Sequence, residues 1–165
     1  MRAIGRPLTD YTFIDIGCGK GRTLILALDY GFRNVVGVEF AAELVAIARA
    51  NLASRGLDTN ANVTVLQEDA TQYEFPGGPL VVYLYNPFGP EVFRKVLDNL
   101  LRSLDATSDD CVIVYGSSRR ETLMWARSMI PQSGKFGEIP AEPMPVFLDA
   151  ARTIEYAVFR FSQGK

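Results

Sequence analysis

The chain reads as an α/β domain, a mostly parallel sheet covered by helices. Short apolar runs alternate with amphipathic helical patterns along nearly the whole length. The first run, Phe13-Ile-Asp-Ile-Gly17, passes through a glycine-rich turn, Gly17-Cys-Gly-Lys-Gly21, straight into an amphipathic segment. A later run, Leu80 to Tyr85, is apolar at every position, as expected of a strand buried on both faces.

The elements follow in order. The first strand spans about 12–16 and its helix about 21–30, with Gly31 as a natural end cap. A second strand covers 35–40. The next helix, about 42–55, places Leu44, Ile47, Ala48 and Leu52 on one face and stops at Gly56. A third strand covers 63–66. Pro76-Gly-Gly-Pro79 marks a turn before the fourth strand, 80–85. A helix of about 91–104 carries Val92, Val96, Leu97, Leu100, Leu101 and Leu104 as its buried stripe, and 105–110 reads as a polar loop. A fifth strand, 111–115, leads to a helix of about 120–129. Residues 135–139 form a short strand. Pro140, Pro143 and Pro145 break the next stretch into a loop or irregular edge. Residues 153–161 alternate polar and apolar, the pattern of a closing antiparallel strand, and 162–165 fray.

The length of 165 residues suits one domain, 1–165, with a full core. The longest apolar run is far too short to cross a bilayer, and no signal-peptide pattern opens the chain. The expected location is cytoplasmic, without membrane association. The net charge of −2 argues against a broad basic surface for nucleic acid. Arg119 and Arg120 read as a solvated helix start. Two cysteines, Cys18 and Cys111, make neither a disulfide framework nor a metal set, and both read as reduced packing residues. The chain has no histidine, which removes the commonest general base, any Ser-His-Asp triad and any His-ligated metal.

The chemistry-bearing residues gather at strand ends. Gly17, Gly19 and Gly21, with Asp15 just before them, permit a turn that brings backbone N–H groups and a helix start against a polar ligand. Glu39 ends the second strand, where a carboxylate accepts both ribose hydroxyls of a nucleoside-type ligand. Phe40 reads either as a cover for the adenine face or as core. Asp69-Ala70 follows the third strand, where an acid accepts from an adenine amino group; Glu68 reads as solvated. Asn86-Pro87-Phe88 ends the fourth strand. The amide oxygen of Asn86 and the carbonyl of Pro87 are acceptors for a substrate N–H, and Phe88 offers an apolar wall. The bland reading of this tripeptide is an Asn-Pro turn into a helix.

In joint order and spacing, Asp15-Ile-Gly-Cys-Gly-Lys-Gly21, Val36-Gly-Val-Glu39, Glu68-Asp-Ala70 and Asn86-Pro-Phe88 resemble the class I S-adenosylmethionine (SAM)-dependent methyltransferases. The resemblance runs from about Tyr11 to Tyr115 and on toward Phe161. It implies a Rossmann-like three-layer sandwich, a seven-stranded sheet with one antiparallel strand, and SAM across the carboxyl edge. It also implies Gly17, Gly19 and Gly21 near the cofactor's methionine portion, Glu39 on ribose and Asp69 on adenine; Asp15, Cys18, Phe40, Ala70 and Asn86 complete the expected cofactor-binding set. The product is S-adenosylhomocysteine (SAH).

A weaker similarity links Asn86-Pro-Phe-Gly-Pro-Glu-Val92 to histone-lysine methyltransferases without a SET domain. Asn86-Pro87 is also similar to the Asn-Pro-Pro-aromatic motif of enzymes that methylate amide or adenine nitrogens. Both imply a nitrogen acceptor, with a protein or small molecule favoured over nucleic acid. Few residues precede the first strand, so the expectation is a core lacking the family's usual N-terminal helices. Its cofactor groove is then open or completed by a partner chain, for example in a homo-oligomer.

Two other readings compete. A nucleotide-dependent oxidoreductase is disfavoured, because only Lys20 separates the second and third glycines. A catalytically silent module that binds SAM or a partner is the alternative from another class. Tyr85, Tyr115 and Asp15 are candidates to orient a proton, but strand tyrosines read first as core, and no base is assigned.

Overall fold

The computed structural model describes residues 6–57, 59, 62–107, 109–140 and 154–162. Among them, seven strands form one sheet: β1 (Thr12–Ile16), β2 (Asn34–Glu39), β3 (Val63–Gln67), β4 (Leu80–Tyr85), β5 (Cys111–Ser117), β6 (Phe136–Ile139) and β7 (Glu155–Phe161). Four helices accompany them: α1 (Arg22–Asp29), α2 (Ala42–Ala53), α3 (Pro90–Thr107) and α4 (Arg120–Gln132). The strand order is β3-β2-β1-β4-β5-β7-β6. Strands β1 to β5 pair in parallel, and β7 runs antiparallel to both β5 and β6.

The sheet separates two apolar layers. On one face Ile14, Ile16, Leu80, Val82, Leu84, Ile113 and Tyr115 pack with Phe93, Leu100 and Leu104 of α3 and Leu123 of α4. On the other, Phe13, Val35, Val65, Val81, Val112 and Val114 pack with Leu24 and Ala27 of α1 and Val45, Ala48 and Leu52 of α2. Period-two alternation on each strand sends neighbouring residues to opposite layers. Strand β5 is buried at every position, and it runs on to Ser117, past the expected end at Tyr115.

The helices correct the expected faces. On α2 the inward residues are Val45, Ala48 and Leu52, while Ile47 is 39% exposed. On α3 Phe93 takes the inward place and Val92 lies at the surface. The stripe Phe93, Val96, Leu97, Leu100 and Leu104 keeps the three-and-four spacing of one helical face. Helix α3 also continues to Thr107, so the expected polar loop is shorter. Pro90 opens it, in the first-turn position where a missing N–H costs nothing. Helix α4 passes Met129 and carries Pro131 in its last turn, which closes through Ser133 N to Ile130 O at 3.3 Å. The expected loop at Pro143 and Pro145 and the terminal residues 163–165 lie outside the described residues.

One polar cluster ties the late strand to the core. Asp110, just before β5, accepts from the Tyr11 hydroxyl at 2.5 Å and pairs with Arg160 of β7 at 2.9 Å. Among the described residues no helix is long and apolar enough to cross a membrane.

Candidate active site

Parallel pairing brings the carboxyl ends of β3, β2, β1 and β4 side by side. The register sets Asp15 opposite Gly37 on one side and Tyr83 on the other. Asp69, Glu39, the glycine turn and Asn86 therefore share one edge of the sheet, where open α/β folds bind ligands.

Asp15 is 2% exposed, a carboxyl almost sealed in protein. Burial pushes its pKa up to about 7; a hydrogen bond from Thr23 lowers it part-way, and the Glu39 charge raises it further. Neither neighbour is a cation.

Glu39 is bound to the turn it faces. Its Oε2 accepts from Gly19 N and its Oε1 from Ala41 N, both at 3.0 Å. The turn itself is tied down: Gly17 N and Cys18 N donate to Val38 O at 2.8 and 3.1 Å, and Gly21 N donates to Cys18 O at 2.9 Å. The expected picture of glycine amides aimed at a ligand is thus revised, because these amides serve the turn. The turn still offers open surface: a Cβ built on Gly19 meets no atom within 4 Å. The first turn of α1 lies alongside, without a side-chain cap. Cys18 turns inward, its Sγ 2.7 Å from where a Gly37 Cβ would stand, and burial raises its thiol to about 12. Its side chain is packing, as expected, and only its backbone belongs to the turn.

Phe40 is 75% exposed, which removes the core alternative and leaves a bare ring beside Glu39. Asp69 is exposed. Hydrogen bonds from the Thr71 backbone and side chain hold its carboxyl below the usual carboxylate range. Its Oδ1 accepts from Thr71 N at 2.9 Å. Ala70 packs against the core, and Glu68 N donates to Glu39 O at 3.0 Å, joining this corner to β2.

Asn86 stands in the left-handed region at φ 44°, alone in this among the described non-glycine residues. Such a conformation costs about 1–3 kcal/mol and persists where its surroundings enforce it. Its Oδ1 lies 3.4 Å from the hydroxyl of Tyr115. Tyr115 is itself held edge-on by Phe93 and Trp125, at ring distances of 5.7 and 5.4 Å. Phe88 is half-buried against the same core. Pro87 packs onto Gly17.

A pocket of about 440 Å³ opens beside Asp15, Gly17 and Gly19. It runs between α1 and the sheet, past Phe13 and Tyr83, to Tyr85 and Tyr156. Tyr83 and Tyr156 were not singled out in the sequence. The alternation Val81-Tyr83-Tyr85 signals that both β4 tyrosines share a face, but nothing local to Tyr156 reveals which strands β7 joins. Thr23 as the partner of Asp15 and Tyr115 as the partner of Asn86 were likewise missed.

Residues 13–106 match the family model described as a methyltransferase domain. The chain belongs to the methyltransferase domain family. No curated protein sequence matches it. Solved structures share its fold. The methyltransferase domain of bacterial CtHen1-C superposes with a TM-score of 0.66 at 14% identity, over 92% of this chain and 90% of that one. A precorrin-6y C5,15-methyltransferase from Geobacter metallireducens gives 0.65 at 18%, over 93% and 81%. An RNA methyltransferase from Salinibacter ruber, solved with SAH, gives 0.60 at 22%, over 93% and 80%. The seven-stranded sheet with β7 reversed is the architecture that the class I resemblance implied. The similarity to histone-lysine methyltransferases finds no counterpart among these matches.

In this methyltransferase domain Asp15, Glu39, Asp69 and Asn86 all lie within the matched span. The part of the pocket wall made by Tyr156 lies beyond the matched span.

Proposed function

We propose that this domain transfers a methyl group from SAM to a nitrogen acceptor. The observation that carries the reading is the shared edge. An acid sealed in protein and paired with no cation among the described residues, an open glycine turn braced by Glu39, and an exposed Phe40 stand in strand order beside the strained Asn86.

The residues present fit the cofactor. Asp15 is a buried carboxyl that a cationic ligand would satisfy. Gly19 leaves room for close approach, and Glu39 keeps lone pairs for ribose hydroxyls beyond its two amide bonds. Phe40, Asp69 and Ala70 would border the adenine. When bound, SAM supplies a methyl group already activated by positive sulfur.

The protein's own work is then positioning, worth on the order of 7–11 kcal/mol when well executed. Tyr115 engages one lone pair of the Asn86 amide oxygen, and the second lone pair accepts from the acceptor N–H. Pro87, seated on Gly17, fixes the distance between the acceptor strand and the cofactor turn. Calorimetric titration with SAH tests the reading: micromolar binding is expected, reduced at least tenfold in Asp15→Ala and Glu39→Ala. No binding to the wild-type protein, or equal binding in all three, overturns it.

A further inference from the structure

The pocket beside α1 reaches well past the edge assigned to the cofactor. Helices α1 and α2 pack on β1, β2 and β3, whereas the pocket extends across β4 to the start of β7. Its volume suits a small-molecule-sized group. Its far wall is a tyrosine cluster set by register. Tyr85 pairs with Gly116, and Gly116 pairs with Tyr156, so three adjacent strands meet at one level.

Gly116 leaves the space that both rings approach. A Cβ there would lie 2.7 Å from Tyr156 Cε1 and 3.2 Å from Tyr85 Cδ2. Tyr83, two residues before Tyr85 on the same face, shares a hydroxyl hydrogen bond with Tyr156. Tyr85 is 39% exposed at the carboxyl end of β4, and the same pocket reaches Asp15, Gly17 and Gly19, so the tyrosine wall and the glycine turn share one cavity. Aromatic faces attract cations, and Asp15 is the carboxyl among the pocket's lining residues. Among the described lining residues Arg22 is the positive group, and it is exposed to water. Phe13, Leu26, Ala27, Phe32 and Ile154 add apolar surface to the lining, and Thr23 and Tyr30 add hydroxyls.

We propose that Tyr83, Tyr85 and Tyr156 form the acceptor pocket of this domain, and that the acceptor is an amine carried on an apolar stem. This rests on the methyl-transfer reading and names its substrate class. The amine arrives as an ammonium ion over the tyrosine rings and loses one proton to water. Its nitrogen lone pair forms the new N–C bond. The C–S bond breaks with its electron pair going to sulfur, leaving neutral SAH. The methylated nitrogen carries the positive charge and remains over the rings.

The test uses the SAH-saturated protein and two soluble probes of matched length, hexylamine and hexan-1-ol, followed by calorimetry. The wild type should bind hexylamine at least about tenfold more tightly than the alcohol, the scale of a desolvated cation–π contact. Tyr156→Leu and Tyr85→Leu should lose that preference, while Tyr156→Phe, which keeps the ring, retains it; all three should hold SAH as the wild type does. Nα-acetyl-lysine amide as a third probe separates the sources: tighter than hexylamine points to a protein lysine, weaker to a free amine. Equal binding of amine and alcohol overturns the proposal, as does preference retained in both leucine variants. So does loss of SAH affinity in either, which would assign the wall to the cofactor. A wild type that binds no SAH defeats the methyl-transfer reading itself, a separate result.

Discussion

Gly17 and Pro87 touch across the edge of the sheet, so closely that a β-carbon on Gly17 would stand 2.5 Å from the β-carbon of Pro87. The turn after β1 and the tripeptide after β4 are thereby one packed unit. Gly17 also holds φ 79°, a conformation that side chains resist. Gly17→Ala therefore has to displace Pro87 or reshape the turn. We expect a stability loss of about 1–3 kcal/mol, seen in thermal denaturation, and at least tenfold weaker SAH binding. A variant with wild-type melting temperature and affinity would show that this contact is dispensable.

Asp15 makes both stability and ligand affinity depend on pH. Its folded pKa, about 7, stands above the ordinary value of 3.8. The folded chain then binds more protons than the unfolded one between those values. Stability from this group is full below pH 4 and is lost as pH rises through 7. Asp15→Asn should accordingly stabilise the ligand-free protein above pH 7, on the order of 2–4 kcal/mol, in denaturant titrations. A cationic ligand favours the ionised acid, so SAM affinity should rise with pH up to about 7 and then level off. In Asp15→Asn that slope should vanish.

Glu39 joins Gly19 N and Ala41 N through separate oxygens. Glu39→Gln retains one acceptor and should hold SAH more tightly than Glu39→Ala. The alanine variant leaves the turn unbraced and should lose about 2 kcal/mol or more of binding free energy, since both bonds involve a charged acceptor. Calorimetry on the two variants orders them directly.

Asn86→Ala should leave SAH affinity within about twofold and reduce turnover by about a hundredfold, because it removes an orienting contact rather than a cofactor contact. Tyr115→Phe keeps the packing with Phe93 and Trp125 but removes the hydroxyl 3.4 Å from Asn86 Oδ1. It should lower kcat by a smaller factor, about threefold to tenfold, with the KM for SAM unchanged. Identical kcat in Tyr115→Phe and wild type would remove the hydroxyl from the positioning of Asn86.

Much of this molecule was readable in one dimension. Alternation and apolar runs located all seven strands, since each side chain's layer follows from its parity within its strand. The acids Asp15, Glu39 and Asp69 and the amide Asn86 were found because parallel strands deliver their ends to one edge whatever the packing details. Helix faces were less legible: Ile47 and Val92 are apolar yet exposed, and only the choice of Val45 and Phe93 as the better fit to the sheet decided which side turned in. Tertiary structure alone determined that the turn amides are engaged by Val38 and Glu39, that Pro87 seats on Gly17, and that Gly116 admits Tyr85 and Tyr156 together. These contacts join residues far apart in the chain. Their existence depends on strand order and on distances between backbones, and neither is written in the local pattern of any segment.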